Sequence, residues 1–236
     1  VAGIHAALGI TMALLARFRG GESGQVVDVA LYEAMFNLLE AVVPEYSGSG
    51  LIREASGTTV TGIVPTNTYR CRGGKFIIIG GNGDSIFKRL MQAIGRTDLA
   101  DDPELASNSG RVAREAQIDE VLASWCAARE AGEAIAVLEA ARVPVGPIYD
   151  VADMFADPHF RSRGLFEEVS IDGQALELPA LLPRLSATPG ATRWPGAGLG
   201  AHTREVLTTL LGVTEEQLEA LSSERIVACQ QRRQSG

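Results

Sequence analysis

The run Phe76-Ile77-Ile78-Ile79, fenced by Gly73-Gly74 before it and Gly80-Gly81 after it, constrains the fold more than any other stretch. Four apolar residues, three of them β-branched, favour an extended strand over a helix. Asn67 to Cys71 has the same strand character, and the turn Arg72-Gly73-Gly74 joins it to Lys75–Gly80 in a predicted hairpin whose apolar run is buried. Beyond the glycines, Ile86, Phe87, Leu90, Met91 and Ile94 recur at helical spacing, with Asp84 or Ser85 as the cap and Gly95 as the stop. A strand that runs through glycines into a helix marks an α/β protein.

The flanks extend this plan. Ala2 to Phe18 predicts a packed helix stopped by Gly20-Gly21, Gln25 to Leu31 a strand, and Glu33 to Val43 a second helix. The segment 46–62 is rich in Gly, Ser and Thr and reads as a linker. Helices are expected at Arg114–Ala128 and Ala131–Ala141, a short extended piece at Val145-Gly146 between two prolines, and a capped helix at Asp150–Phe155. Leu165–Ile171 and Gln174–Leu178 flank Asp172-Gly173, a hairpin signal. Pro183–Gly200 reads as a second linker, followed by helices Thr203–Leu211 and Thr214–Leu221, the latter opened by a Thr214/Gln217 capping box; the tail from Gln230 is expected to lack order. The resulting division is 1–45 as part of a large domain, 46–62 linker, 63–150 small α+β domain, 151–200 hairpin and return linker, and 201–236 as C-terminal helices packing on the large domain.

Composition excludes several functions. A net charge of -8 leaves no basic footprint for nucleic acid or an anionic membrane surface, and no apolar stretch approaches the roughly 20 residues of a membrane span. Cys71, Cys126 and Cys229 are far apart in sequence and odd in number, so neither a disulfide framework nor a zinc site is expected, and a cytoplasmic setting fits best. His5, His159 and His202 are equally scattered, and no metal is expected. The start at Val1 carries neither an initiator Met nor a basic signal region, so the chain is taken as truncated at its front.

Few residues point to chemistry by themselves. The turn Gly80-Gly81-Asn82-Gly83-Asp84-Ser85 could cradle a phosphate, but a dinucleotide fingerprint needs a third glycine where Ile86 stands, so a plain strand-to-helix turn weighs more; Asn82 and Asp84 remain candidates to face a ligand. Asp28 and Glu33 are candidate carboxylate nucleophiles, weighed against ordinary roles in capping and bridging the backbone. Nothing assembles a histidine around Cys71 or Cys126, and Cys126 beside Trp125 reads as core.

Three stretches resemble the family III CoA-transferases: Gly24-Gln25-Val26-Val27-Asp28-Val29-Ala30-Leu31-Tyr32-Glu33-Ala34, Val143-Pro144-Val145-Gly146-Pro147-Ile148-Tyr149, and Ala156-Asp157-Pro158-His159-Phe160 with Arg163-Gly164. Within the family, Tyr69 to Phe87 is most similar to members that use succinyl-CoA with small dicarboxylic acids. The resemblance implies a Rossmann-like large domain built from both chain ends, a small domain between two linkers, and an interlaced homodimer. It also implies CoA transfer through an aspartyl anhydride and an aspartyl-CoA, with the CoA thioester as substrate and no further cofactor. Gly3 and His5 match the end of the family's nucleophile segment, placing its aspartate two residues ahead of Val1 and leaving the chain inactive alone. Leu31 matches an apolar position near the active site; Gly62 matches one glycine of the mobile loop, where Thr59, Val60 and Thr61 depart from the pattern. The alternatives are a 2-methylacyl-CoA racemase of the same family and a non-catalytic nucleotide-binding subunit.

Overall fold

A computed structural model describes residues 1–21, 23–171 and 173–229. The chain divides into two compact units, Val1–Ile148 and the remainder from Tyr149. The turn residue Asp172 and the tail from Gln230 lie outside the described residues.

The first unit opens with helices α1 (Ala2–Gly20), α2 (Leu31–Phe36) and α3 (Val42–Ser49). Gly21 closes α1 at φ 68, a left-handed turn that its missing side chain permits. Three sequence expectations need correction here. No residue of α1 is buried, and Ile4 and Phe18 are 74% and 81% exposed, because its apolar side chains lie all round the helix and few face a packed layer among the described residues. The predicted strand Gln25–Leu31 is extended backbone without a ladder, since no described strand lies beside it to share hydrogen bonds, and Leu31 already begins α2. It rests instead on α1, where the lack of a side chain at Gly9 admits Val27. The helix expected at Glu33–Val43 breaks into two. A continuous helix would drive the Pro44 ring into the carbonyl of Glu40, four residues back; Glu40 takes φ 46, and a new helix starts with Pro44 in its first turn. That helix runs to Ser49, beyond the predicted loop boundary at Tyr46.

The core of this unit is a three-stranded antiparallel sheet in the order β1 (Thr66–Arg70), β2 (Phe76–Gly80), β3 (Val145–Ile148). Gly73 and Gly74, at φ 79 and 88, make the β1–β2 turn, with Thr66 opposite Gly80 and Arg70 opposite Phe76. The apolar run is only half buried. Ile77 and Ile79 point into the core while Phe76 and Ile78 point to the open face, because successive side chains alternate across a strand. Between β2 and β3 come α4 (Asp84–Ala93), α5 (Thr97–Ala100), a 3-10 turn (Pro103–Leu105), α6 (Asn108–Ala113), α7 (Glu115–Ala127) and α8 (Ala131–Ala140). Phe87, Leu90 and Met91 of α4, Ile118, Leu122 and Cys126 of α7, and Ala134 and Leu138 of α8 close over Ile77 and Ile79. The short Val145-Gly146 piece proves to be a strand, with Ile79 opposite Val145 and Phe76 opposite Ile148.

In the second unit, α9 (Val151–Ala156) starts with a capping box between Asp150 and Asp153, and α10 (Pro158–Ser162) is capped by Asp157 through the His159 amide at 2.6 Å. The expected hairpin follows as β4 (Phe166–Ile171) and β5 (Gln174–Pro179). Residues 180–200 carry neither helix nor strand; α11 (Thr203–Leu211) and α12 (Glu215–Ser223) complete the unit, the latter opened by the expected Thr214/Gln217 box. Among the described residues, no helix is long and apolar enough to cross a membrane.

Two glycines in helices give opposite expectations. A methyl at Gly110 would run into the Glu104 carbonyl, which backbone constraints hold in place, so Gly110→Ala should lower stability by about 3 kcal/mol. Gly132 in α8 meets nothing, and Gly132→Ala should raise stability by up to about 1 kcal/mol. Urea unfolding midpoints of the two variants check both signs.

Candidate functional site

The site is built on α6, whose first and fourth residues, Asn108 and Arg111, share a helix face. Gly110 lets this helix sit against Pro103–Leu105 with no side chain between. Arg111 is fully buried, and its planar fork reaches three segments. Nε donates to Val64 O at 2.9 Å, Nη1 to Leu105 O at 3.0 Å, and Nη2 to both Asn82 O at 2.6 Å and Asp84 Oδ1 at 2.8 Å. The Phe87 ring lies against the guanidinium, 5.1 Å from Cζ to the ring centroid. A buried charge is tolerable when it is hydrogen-bonded, and here each of the three guanidinium nitrogens finds an acceptor. Asn108 holds the same loop from the other side, donating to Gly62 O at 2.8 Å and accepting from Val64 N at 3.1 Å.

The glycine turn after β2 meets this loop directly. Gly80 N donates to Pro144 O and Gly81 N to Pro65 O, both at 2.9 Å, so these two amides are engaged by backbone carbonyls, as a strand-to-helix turn requires. A methyl at Gly81 would collide with Pro65 and Leu90; glycine is needed there for close approach. Ile86, standing where a dinucleotide fingerprint has its third glycine, folds its side chain over Gly83. The α4 cap differs from the expectation of Asp84 or Ser85. Gly83 is the N-cap, and Asp84 sits in the first turn with its carboxylate drawn to Arg111. One end of that ion pair is fully buried and the other is 68% exposed.

Against this geometry, residues 1–203 match the family described as CoA-transferase family III. The chain belongs to the family III CoA-transferases. It is 40% identical to a succinyl-CoA–D-citramalate CoA-transferase of Chloroflexus aurantiacus over 228 residues, covering 96% of this chain and 56% of that protein. It is 32% identical to the β subunit of a succinyl-CoA–L-malate CoA-transferase from the same organism, covering 95% of this chain and 56% of the relative. A crystal structure of a CAIB/BAIF family protein from Brucella suis superposes with a TM-score of 0.70 at 30% identity, over 89% of this chain and 54% of that one. The chain thus spans a little over half the length of the curated relatives it matches.

In this family III chain the sequence candidates fall into separate places. Gly62, Asn82 and Asp84 converge through Asn108 and Arg111. Leu31 does not join them: it opens α2 with its side chain 79% exposed, outside the Arg111 network. Asp28 lies exposed in the extended segment before α2, and Glu33 accepts from the Tyr32 hydroxyl at 3.2 Å within the first turn of α2. His5 lies on α1, with Asn37 Nδ2 3.4 Å from its Nε2. Asn108 and Arg111 had no signal in the sequence, since a lone Arg in a short polar helix ordinarily points to solvent. Among the described residues, no cluster of three or more His, Cys, Asp or Glu could hold a metal ion.

A second network backs the loop on the α7 side. Asp119 accepts from the Tyr69 hydroxyl at 2.5 Å and from Asn67 Nδ2 at 3.1 Å, while Asn67 Oδ1 accepts from Thr58 at 2.6 Å. Burial and the bond to Asp119 hold the Tyr69 hydroxyl far above its ordinary range, so it stays a donor. Cys71 follows Tyr69 on the same side of the chain and meets Cys126 of α7, although the two are far apart in sequence. Burial raises both thiols, Cys126 to about 12, its neighbour Cys71 adding to the rise.

At pH 8 a thiol at about 12 is ionised to only ~1 part in 10,000, and the thiolate is the reactive form. Iodoacetamide at pH 8 should therefore alkylate the half-buried Cys229 and spare Cys71 and Cys126 until denaturant is added. Peptide mass spectrometry of native and unfolded samples checks this; equal labelling of Cys126 and Cys229 in the native chain would contradict it.

Proposed function

We propose that this chain works within a CoA-transferase that moves CoA from succinyl-CoA to a small dicarboxylic acid. The observation that carries the reading is the match to the family over residues 1–203, with relatives named for succinyl-CoA and D-citramalate or L-malate.

In this reading an aspartate carboxylate attacks the thioester carbonyl, forming an acyl-aspartyl anhydride and releasing CoA thiolate. The thiolate attacks the aspartyl carbonyl of the anhydride, giving aspartyl-CoA and freeing the acyl group as a carboxylate. The incoming acid repeats the sequence in reverse and leaves as its CoA thioester. An anhydride is about as activated as a thioester, so no step requires an external energy source. Each tetrahedral intermediate is stabilised by hydrogen-bond donors aimed at its developing charge. In this proposal the attacking aspartate is the one expected from the resemblance of Gly3 and His5 to the end of the family's nucleophile segment. In this reading Gly62, Asn82 and Asp84 face the acids across the loops that Arg111 ties, while Leu31, exposed at the head of α2, stands outside that group. The reading includes a cytoplasmic homodimer that uses the CoA thioester as substrate and needs no cofactor.

The product of the complete reading frame carrying this chain, incubated with succinyl-CoA and D-citramalate, L-malate or glutarate, should form the new thioester, read by liquid chromatography. Deuterium incorporation at the α-carbon of a branched acyl-CoA in heavy water, without transfer to any acid, would replace the reading with a racemase. CoA binding without either reaction would replace it with a nucleotide-binding subunit. Ordinary turnover by the 236-residue chain alone would refute the upstream nucleophile.

A further inference from the structure

We infer that Arg111 is a positioning residue that couples the Gly62–Pro65 loop to the Gly80–Asp84 turn, so that both walls facing the acid move as one body. The inference rests on the reading above that Gly62, Asn82 and Asp84 face the carboxylic acid. The coupling itself stands on geometry alone.

The two segments flank the β1–β2 hairpin, one entering β1 and the other leaving β2. The β1–β2 ladder, ending at Thr66 opposite Gly80, and the bond from Gly81 N to Pro65 O join their inner ends; beyond these the guanidinium adds a side-chain link, taking Val64 O on one wall and Asn82 O with the Asp84 carboxylate on the other. A third arm to Leu105 O fixes the fork to the body of the unit. Only arginine fits this task. Its three nitrogens diverge in a rigid plane and can satisfy acceptors on three sides, whereas a lysine offers donors from one point. The fork is fully buried with one face against Phe87, so it has neither room nor water to rotate into. Asn108 extends the chain of coupling by clamping Gly62 O and Val64 N. A displacement of either wall must then stretch bonds on the other. In this reading Arg111 does not face the acid; it sets the geometry of the groups that do.

Hydrogen exchange tests the coupling without reference to activity. In Arg111→Lys, amides in residues 60–66 and 80–86 should both exchange about tenfold faster, while the core amides of α7 and α8 stay protected. Faster exchange in only one of the two segments, or in neither, overturns the inference. Should Arg111→Lys fail to fold, Asn108→Ala serves: freeing the Gly62 end should also loosen 80–86 through Arg111, and loosening confined to 60–66 overturns the inference.

Kinetics of the complete gene product test the positioning role. Loose walls weaken binding of the acid equally in ground and transition states, so Arg111→Lys should raise KM for the acceptor acid about tenfold and change kcat little. Leu138→Val, a core truncation in α8 that touches neither wall, should leave both parameters unchanged well below its unfolding temperature. A wild-type KM in folded Arg111→Lys, or the same KM rise in Leu138→Val, overturns the positioning role. If the wild-type gene product transfers CoA to no acid, the functional reading fails and the positioning role with it, while hydrogen exchange still decides the coupling.

Discussion

A guanidinium with no access to water ties three segments of the first unit together. Removing a charge from solvent is costly unless it is hydrogen-bonded, and the Arg111 nitrogens find Val64 O, Leu105 O, Asn82 O and the Asp84 carboxylate. The cost of burial is what makes the arrangement specific. Were any of the three segments to drift, a buried N–H would be left without a partner at about 1–3 kcal/mol, so the loops are held to one geometry by the penalty for leaving it. Gly110 and Gly81 are the conditions for this arrangement, one letting α6 approach Pro103–Leu105 and the other letting the turn approach Pro65. Two absent side chains and one long one therefore act together.

Asp84 also shows how local structure yields to tertiary demand. An aspartate at the head of a helix is expected to cap it, and its neighbour Ser85 could do so as well. The carboxylate instead turns to Arg111, Gly83 serves as the cap residue, and no side chain caps α4. The N-terminal end of α4 still gains from the negative charge in its first turn. The ion pair itself is asymmetric: its cation is enclosed and its anion is open to solvent, so the carboxylate adds less to stability than the three carbonyls that share the burial.

Much of the fold was legible because it rests on periodicity and on turn chemistry. The β1–β2 hairpin, the α4, α7 and α8 faces, the β4–β5 hairpin and the capping boxes at Asp150 and Thr214 all follow from spacing that one sequence displays. The misreadings share a cause. Gln25–Leu31 has strand residues but no described neighbour to pair with, and a strand is a property of two segments. The break at Glu40 was encoded in Pro44, whose effect falls four residues upstream of itself, where a forward reading of apolar spacing does not look. The burial of Phe76–Ile79 was overstated because a run of four apolar residues hides the alternation that only Ile77 and Ile79 satisfy inward.

The site was less legible than the fold for a reason that lies in the nature of its bonds. Asn82 and Asp84 stood out because they lie in a glycine turn that leads from a strand into a helix, and Gly62 through its resemblance to one glycine of the family's loop. Arg111 did not, because three of its four acceptors are backbone carbonyls, and every residue has one. Cys71 and Cys126 pose the same difficulty in another form: nothing in their spacing brings them together, yet the β1 edge and α7 do so once α7 packs on the sheet. Burial raises both thiols, a consequence of packing that no motif in the sequence announces.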